Sequence, residues 1–196
     1  MILYGAGGHA KVIYDCLLSK GIHLAGVFDD NPDNTTFFDK TVFNNYHPDI
    51  LRREKLIISI GSNKLRFNLS RNIKHDFGIV SHLSSWISER AEIAHGSMVL
   101  AKAIIQPEVR IGRHVIVNSG AIIEHDTAVD DFVHVGPGTV VCGGVTIGPG
   151  TFIGANATIL PGVSLGAWSV IGAGAVVLDH VKNGSTIAGN PGKQII

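Results

Sequence analysis

A chain of 196 residues has room for one or two domains, and its sixteen basic and sixteen acidic residues leave a formal net charge of zero. With no Lys/Arg block, composition argues against a nucleic-acid or anionic-membrane surface and points to a small-molecule partner. Two cysteines, Cys16 and Cys142, are too few for a disulfide framework and read as small apolar residues. No apolar run is long enough for a bilayer span, and no secretion-signal pattern opens the sequence, so a reducing cytoplasmic home is expected.

The first element is a short β-type run at 2–4, followed by the glycine turn Gly5-Ala6-Gly7-Gly8-His9-Ala10 and a helical pattern through Lys20, which Gly21 should stop. Gly5, Gly7 and Ala10 fit the spacing of a GxGxxG/A fingerprint, in which bare backbone approaches phosphate at a helix N-terminus. A second strand at 24–28 delivers Asp29 and Asp30 about twenty residues later, where a carboxylate can take a ribose hydroxyl. The segment 31–46 has no clear period and reads as an irregular loop with one short strand. A third buried strand at 56–60 leads into Gly61-Ser62-Asn63, a turn that also caps an amphipathic stretch through Ile73. Alternation of strand and helix predicts a small parallel sheet, with Gly7, Gly8, His9, Asp29, Asp30, Gly61, Ser62 and Asn63 converging on one nucleotide. A purely structural glycine turn is the competing reading. A last strand at 79–80 leads out of this Rossmann-like unit, which is assigned residues 1–82.

From Ile87 to Val177 every sixth residue is Ile, Val or Leu, and sixteen consecutive hexads run to Val181 without an insertion. The fifth position is small or β-branched throughout. A helix cannot hold a period of six on one face, whereas a triangular coil of short parallel strands can, with three hexads per turn; residues 83–196 are therefore assigned to an all-β coil. Residues eighteen apart should stack, which places His125 against Gly143 and Ala155 against Ala173, all at the third hexad position. Such small residues leave a groove suited to an extended ligand carrying amides, such as the pantetheine arm of coenzyme A. Polar groups concentrate at Asn118, Glu124-His125-Asp126 and His134. The remaining histidines, His75, His82, His95, His114 and His180, lack comparable neighbours and are expected at the surface.

The start Gly5-Ala6-Gly7-Gly8-His9-Ala10-Lys11, the strand end Phe28-Asp29-Asp30, the turn Ile60 to Asn63, the run Ile123-Glu124-His125-Asp126 and the close Ala188-Gly189-Asn190-Pro191-Gly192-Lys193 together resemble a known family. It is the left-handed β-helix, hexapeptide-repeat acyltransferases, and within them the sialic-acid O-acetyltransferase-like group that includes bacterial UDP-4-amino-sugar N-acetyltransferases. The resemblance implies a left-handed wind, a homotrimer with active sites between subunits, acetyl-CoA as co-substrate and a UDP-linked amino sugar as acceptor. It places the general base on His125 and an orienting carboxylate on Asp126, with Glu124 as the alternative, and the thioester-oxygen donor on the Gly143 N–H. Asn118 would position substrate. His134, Ala155, Ala173, Pro191 and Lys193 would contact the cofactor, Gly192 standing where relatives carry Ala.

Other readings remain open at this level: acetyl transfer to a sugar or sialic acid hydroxyl, an NAD-binding protein, or a passive trimeric scaffold. A zinc site fails on spacing, because no close His-x4-His pair occurs among the coil histidines and catalytic zinc needs three protein ligands. No metal is expected.

Overall fold

The computed structural model describes residues 1–195. Its N-terminal unit is built on a five-stranded sheet, in which β1 (Ile2–Tyr4) runs parallel between β2 (Gly26–Phe28) and β5 (Leu56–Ile58). Helix α1 (Gly8–Ser19) crosses from β1 to β2 and buries Ala10, Ile13, Cys16 and Leu17; Gly21, at φ 65°, ends it as expected. All three of these strands are buried on both faces, which is why they read as continuous apolar runs.

The stretch 31–46 is more ordered than its composition suggested. It forms two strands, β3 (Thr36–Phe37) and β4 (Lys40–Phe43), paired antiparallel, with β4 extending the sheet along β2. Phe37 and Val42 carry this hairpin into the core, too short an apolar signal to register as a period. Helix α2 (Asn63–Ser70) starts at Ser62, whose Oγ accepts a hydrogen bond from the Leu65 N–H.

The next strand, β6 (Val80–Ser81), already pairs with Met98–Val99 in the coil, so the first coil strand lies within the stretch assigned to residues 1–82. Two-residue strands then recur every six residues from β7 (Trp86–Ile87) to β22 (Val176–Val177). They stack in parallel at a spacing of eighteen, as in Ile105, Ile123, Val141, Ile159 and Val177, to build three flat faces of a left-handed β-helix. The first and fifth hexad positions fill a continuous aliphatic core. Where the fifth residue is Thr or Ser its hydroxyl is buried but satisfied: Thr139 Oγ1 donates to Gly154 O and Thr151 Oγ1 to Gly166 O.

The register departs from the expected hexads once. Leu165 pairs with Val181 and Ile171 with Ile187, sixteen residues on instead of eighteen, so the last hexad loses two residues and Val181 takes a strand position. The chain then closes with β23 (Thr186–Ala188) and β24 (Lys193–Gln194), an antiparallel hairpin that folds the tail back on the largest face.

That eight-stranded face also receives the N-terminal unit. Val80, Met98, Leu100 and Ile116 share one apolar cluster with α1 and the sheet, so the two units are packed through a common core. Two of the three buried histidines show the same tight packing. His114 is wedged between Phe77 and Phe132, with ring centroids at 4.4 and 5.1 Å, and His75 bonds Tyr46 Oη and Ile50 O. Both were expected at the surface; aromatic neighbours distant in sequence bury them instead.

Candidate functional site

Three corners join the faces of the coil, and the polar residues fall on them unequally. His125 follows the strand Ile122–Ile123 of the six-stranded face and precedes Ala128–Val129 of the five-stranded face, and Gly143 lies one turn above at the same corner. The stacking is direct. A Cβ at Gly143 would stand 2.8 Å from Cε1 of His125 and 2.9 Å from Nε2. The Gly144 N–H donates to His125 O, while the Gly143 N–H has no partner among the described residues and remains available as a donor.

The ring has an orienting partner. Asp126, held at φ 60°, places Oδ2 2.8 Å from Nδ1 of His125, which leaves Nε2 as the free nitrogen beside Gly143. The left-handed backbone at Asp126 is a conformation that Asp and Asn tolerate best among side-chain-bearing residues. Glu124 makes no such contact. Both members of the pair are about two-thirds exposed on their own chain, so any channel over the imidazole needs a second wall.

A different corner carries the other polar group. Asn118, Ala155 and Ala173 follow strands of the eight-stranded face, so Ala155 and Ala173 do not continue the His125 edge as the shared hexad position suggested. Equal phase within the hexad leaves three corners possible, and the steps between these residues select another one. His134 lies in that face, buried against the N-terminal unit. Its Nδ1–H donates to Gly61 O at 3.2 Å and its Nε2 accepts from Asn118 Nδ2 at 3.1 Å, which sets the tautomer. Burial pushes its pKa down to about 4.

His9 faces this ring at 6.3 Å between centroids, and burial likewise lowers it to about 4. Its Nε2 is buried without a partner among the described residues. Gly7 and Gly8, at the start of α1, have open space where a side chain would stand, and no acidic residue occupies the first helical turn. Asp29 organises this loop: Oδ2 accepts from the Ala6 N–H at 2.6 Å and Oδ1 from the Asn31 N–H at 2.9 Å. Asp30 accepts from Tyr4 Oη, leaving one carboxylate oxygen uncommitted. Ser62 is taken up as the cap of α2, and Asn63 Nδ2 donates to Gly150 O and Thr151 O on the coil. The glycine loop therefore meets Asp29 within the N-terminal unit, while His9 and the Gly61–Asn63 turn meet the coil at the joint between the two units.

Sequence reasoning passed over Arg66, which knits that joint together, and Tyr4, whose hydroxyl fixes Asp30. The only available signal for Arg66 was a charged residue three positions after Asn63, on the buried side of an amphipathic stretch. At the tail, Lys193 is exposed without an ion-pair partner among the described residues, next to Pro191. A Cβ at Gly192 would lie 2.8 Å from Val176 O, so glycine suits this turn better than alanine would. A cavity of about 650 Å³ sits at the third corner, lined by Phe67, Phe132 and Trp168 of α2 and the coil, and does not touch His125. Among the described residues no group of three or more His, Cys, Asp or Glu side chains is placed to hold a metal ion, and no helix is long and apolar enough to cross a membrane.

A triangular coil bearing an oriented imidazole, joined to a nucleotide-type unit, defines a class of acyl-transfer enzymes, and comparison with known proteins agrees. Residues 1–73 match the PglD N-terminal domain, and 126–161 and 144–179 match the bacterial transferase hexapeptide (six repeats). The chain superimposes on the perosamine N-acetyltransferase of Caulobacter crescentus, solved with CoA and GDP-perosamine as a variant in which a histidine is replaced by asparagine. The TM-score is 0.94 and identity 30%, over 98% of this chain and 95% of that one. The acetyltransferase domain of PglB from Neisseria gonorrhoeae, in complex with acetyl coenzyme A, gives a TM-score of 0.90 at 29% identity, over 99% and 98%. An uncharacterized protein L142 of Acanthamoeba polyphaga mimivirus is 33% identical over 116 residues, 57% of this chain; the match spans about a quarter of that longer relative (23%). The chain belongs to the hexapeptide-repeat acyltransferases, in the group that carries a PglD-type N-terminal domain.

Proposed function

We propose that the protein is an acetyl-CoA-dependent N-acetyltransferase acting on the amino group of a nucleotide-linked amino sugar, with His125 as general base. The observation that carries this is the His125 ring, oriented by Asp126 and stacked under the unpartnered N–H of Gly143. Nε2 of His125 takes the proton as the sugar nitrogen attacks the thioester carbonyl, a role for which imidazole basicity is suited. The Gly143 N–H then faces the oxygen on which negative charge develops, and the CoA thiolate leaves as the amide forms. Lys193 and Pro191 would cover the nucleotide end of CoA, with the pantetheine arm along Ala155 and Ala173.

The two halves of this chemistry lie at different corners of one chain. A homotrimer that sets the His125 corner of one subunit against the Asn118 corner and nucleotide loops of the next completes the site, and symmetric closure repeats it at each interface. His134 would then act at the rim of the thioester channel while anchoring Gly61.

The nucleotide is read as UDP and the sugar as a 4-amino-sugar destined for bacterial glycan, lipopolysaccharide or capsule synthesis. A GDP-linked acceptor is the second reading, because the Caulobacter relative was solved with GDP-perosamine. Incubation with acetyl-CoA and paired UDP- and GDP-amino-sugars decides between them. An alkali-stable amide on the UDP-linked acceptor is expected; an alkali-labile ester, or no CoA release with any amino sugar, removes the assignment.

A further inference from the structure

Arg66 has the least ordinary surroundings in the N-terminal unit. Its side chain is fully buried, yet every partner is a neutral oxygen. Nη1 donates to Ile60 O and Gly61 O at 3.0 and 2.9 Å, Nη2 to Asn63 Oδ1 and Phe132 O at 2.9 and 3.1 Å, and Nε to His114 O at 3.1 Å. Among the described residues no carboxylate pairs with it, and desolvation lowers its pKa to about 9. Removing a guanidinium from water costs several kcal/mol, and carbonyl partners offset only part of that in the absence of a counter-charge.

A second source of positive potential is linked to this cation through Gly61, whose O also accepts from His134, the ring that faces His9 in the first turn of α1. The N-terminus of α1 opens there on Gly7 with no side-chain cap and no acidic residue in its first turn. His9 and His134, which separate the two, are kept neutral chiefly by burial, with the Arg66 charge adding to the effect on both. Asp29, the carboxylate that reaches the loop, already binds two backbone N–H groups. Gly7 and Gly8 leave the gap open to a ligand.

We infer that Arg66 is a positioning residue for the diphosphate of the nucleotide sugar: it ties Gly61 to the coil and supplies, without touching the ligand, the buried positive charge that the diphosphate balances. Selectivity for a doubly phosphorylated nucleotide over the same nucleoside with fewer charges is set at this residue. The inference rests on the nucleotide-sugar reading above.

Calorimetric titration with nucleoside, nucleoside monophosphate and nucleoside diphosphate, in the uridine and guanosine series, tests it on the wild type, Arg66→Lys and Arg66→Gln. In the wild type each added phosphate tightens binding. Arg66→Gln should lose about tenfold or more in diphosphate affinity, about 1.4 kcal/mol. It should leave the nucleoside and the acetyl-CoA KM within about twofold of the wild type, since neither carries charge to this loop. Arg66→Lys keeps the charge and should keep the diphosphate preference even if its melting temperature falls. Parallel weakening of all three ligands, or equal loss of preference in both variants, reduces Arg66 to a structural tie and overturns the proposal. A wild type that binds none of the ligands refutes the nucleotide reading itself, and the inference with it. Should Arg66→Gln not fold, the Lys variant decides alone, by keeping the preference or losing it.

Discussion

The His125 ring occupies the space that a methyl group on Gly143 would need, Cε1 lying 2.8 Å and Nε2 2.9 Å from where its Cβ would stand. Gly143 does not have a left-handed backbone, so alanine is conformationally permitted there and the clash is with the ring alone. Gly143→Ala should therefore fold and displace the imidazole. The expected result is a loss of kcat of about 10²-fold, in line with misplacing the base while alanine keeps the backbone N–H, with melting temperature nearly unchanged. Steady-state kinetics beside a thermal melt check it; a normal kcat would show that the position of the ring does not matter.

Asp126 offers a test of orientation. Asp126→Asn preserves the left-handed backbone and the side-chain shape but replaces the carboxylate facing Nδ1 with an amide that can donate or accept. The tautomer is then no longer dictated. A fall in kcat of about ten- to a hundredfold with unchanged KM for both substrates is expected. Glu124→Gln, which makes no contact with the ring, should leave kcat unaltered; the reverse pattern would transfer the orienting role to Glu124.

How much of this was legible before the fold was known follows from where the contacts lie. The coil could be read residue by residue because each turn repeats one local rule, and stacking at eighteen follows from three hexads per turn. What failed depended on information outside the repeat. The corner shared by Ala155 and Ala173 is set by hexad count modulo three, and the two-residue shortening at Val181 only becomes visible in the pairing with Leu165. The burial of His114 and the fork of Arg66 depend on the packing of one unit against the other, which no periodicity encodes. In the N-terminal loops the glycines leave the open space that the fingerprint implied, but Asp29, read as a ribose ligand, spends both oxygens on backbone N–H groups.

Buried neutral histidines make stability pH-dependent. His114 and His134 are almost wholly buried and depressed from 6.5 to about 4, chiefly by burial. Below pH 6.5 the unfolded chain takes up protons that the folded one refuses, so stability present above 6.5 is lost as pH falls through the interval and levels off below about 4. Urea unfolding should show a loss of at least about 2 kcal/mol between pH 6.5 and 4.5, since a proton bound only by the unfolded chain costs the fold about 1.4 kcal/mol for each pH step of one. His114→Asn, which keeps the left-handed backbone, should flatten that slope. A slope unchanged by the substitution would assign the acid sensitivity elsewhere.

Lys193 sits on an exposed antiparallel strand with no ion-pair partner among the described residues, so its charge is free for a phosphate. Lys193→Glu should raise the KM for acetyl-CoA about five- to tenfold and leave kcat alone, because the contact is made equally in ground and transition states. Acetyl-dephospho-CoA, lacking the 3′-phosphate, separates the possibilities: if wild type and variant differ as much with this donor as with acetyl-CoA, the lysine does not meet that phosphate.

The separation of His125 from the nucleotide loops on one chain allows a complementation test. His125→Ala removes the base and leaves the loops intact. Gly8→Glu places a carboxylate in the open space before α1, where an acidic residue is compatible with the helix N-terminus but blocks an anionic ligand. Each variant alone should be inactive. In a site built between neighbouring subunits, random mixed trimers join an intact His125 to an intact loop in about a quarter of the interfaces. Unfolding the two variants together and refolding the mixture should therefore restore about a quarter of wild-type activity. A mixture that remains inactive while forming mixed trimers places both halves of the site on one chain, and the corner-to-corner arrangement fails.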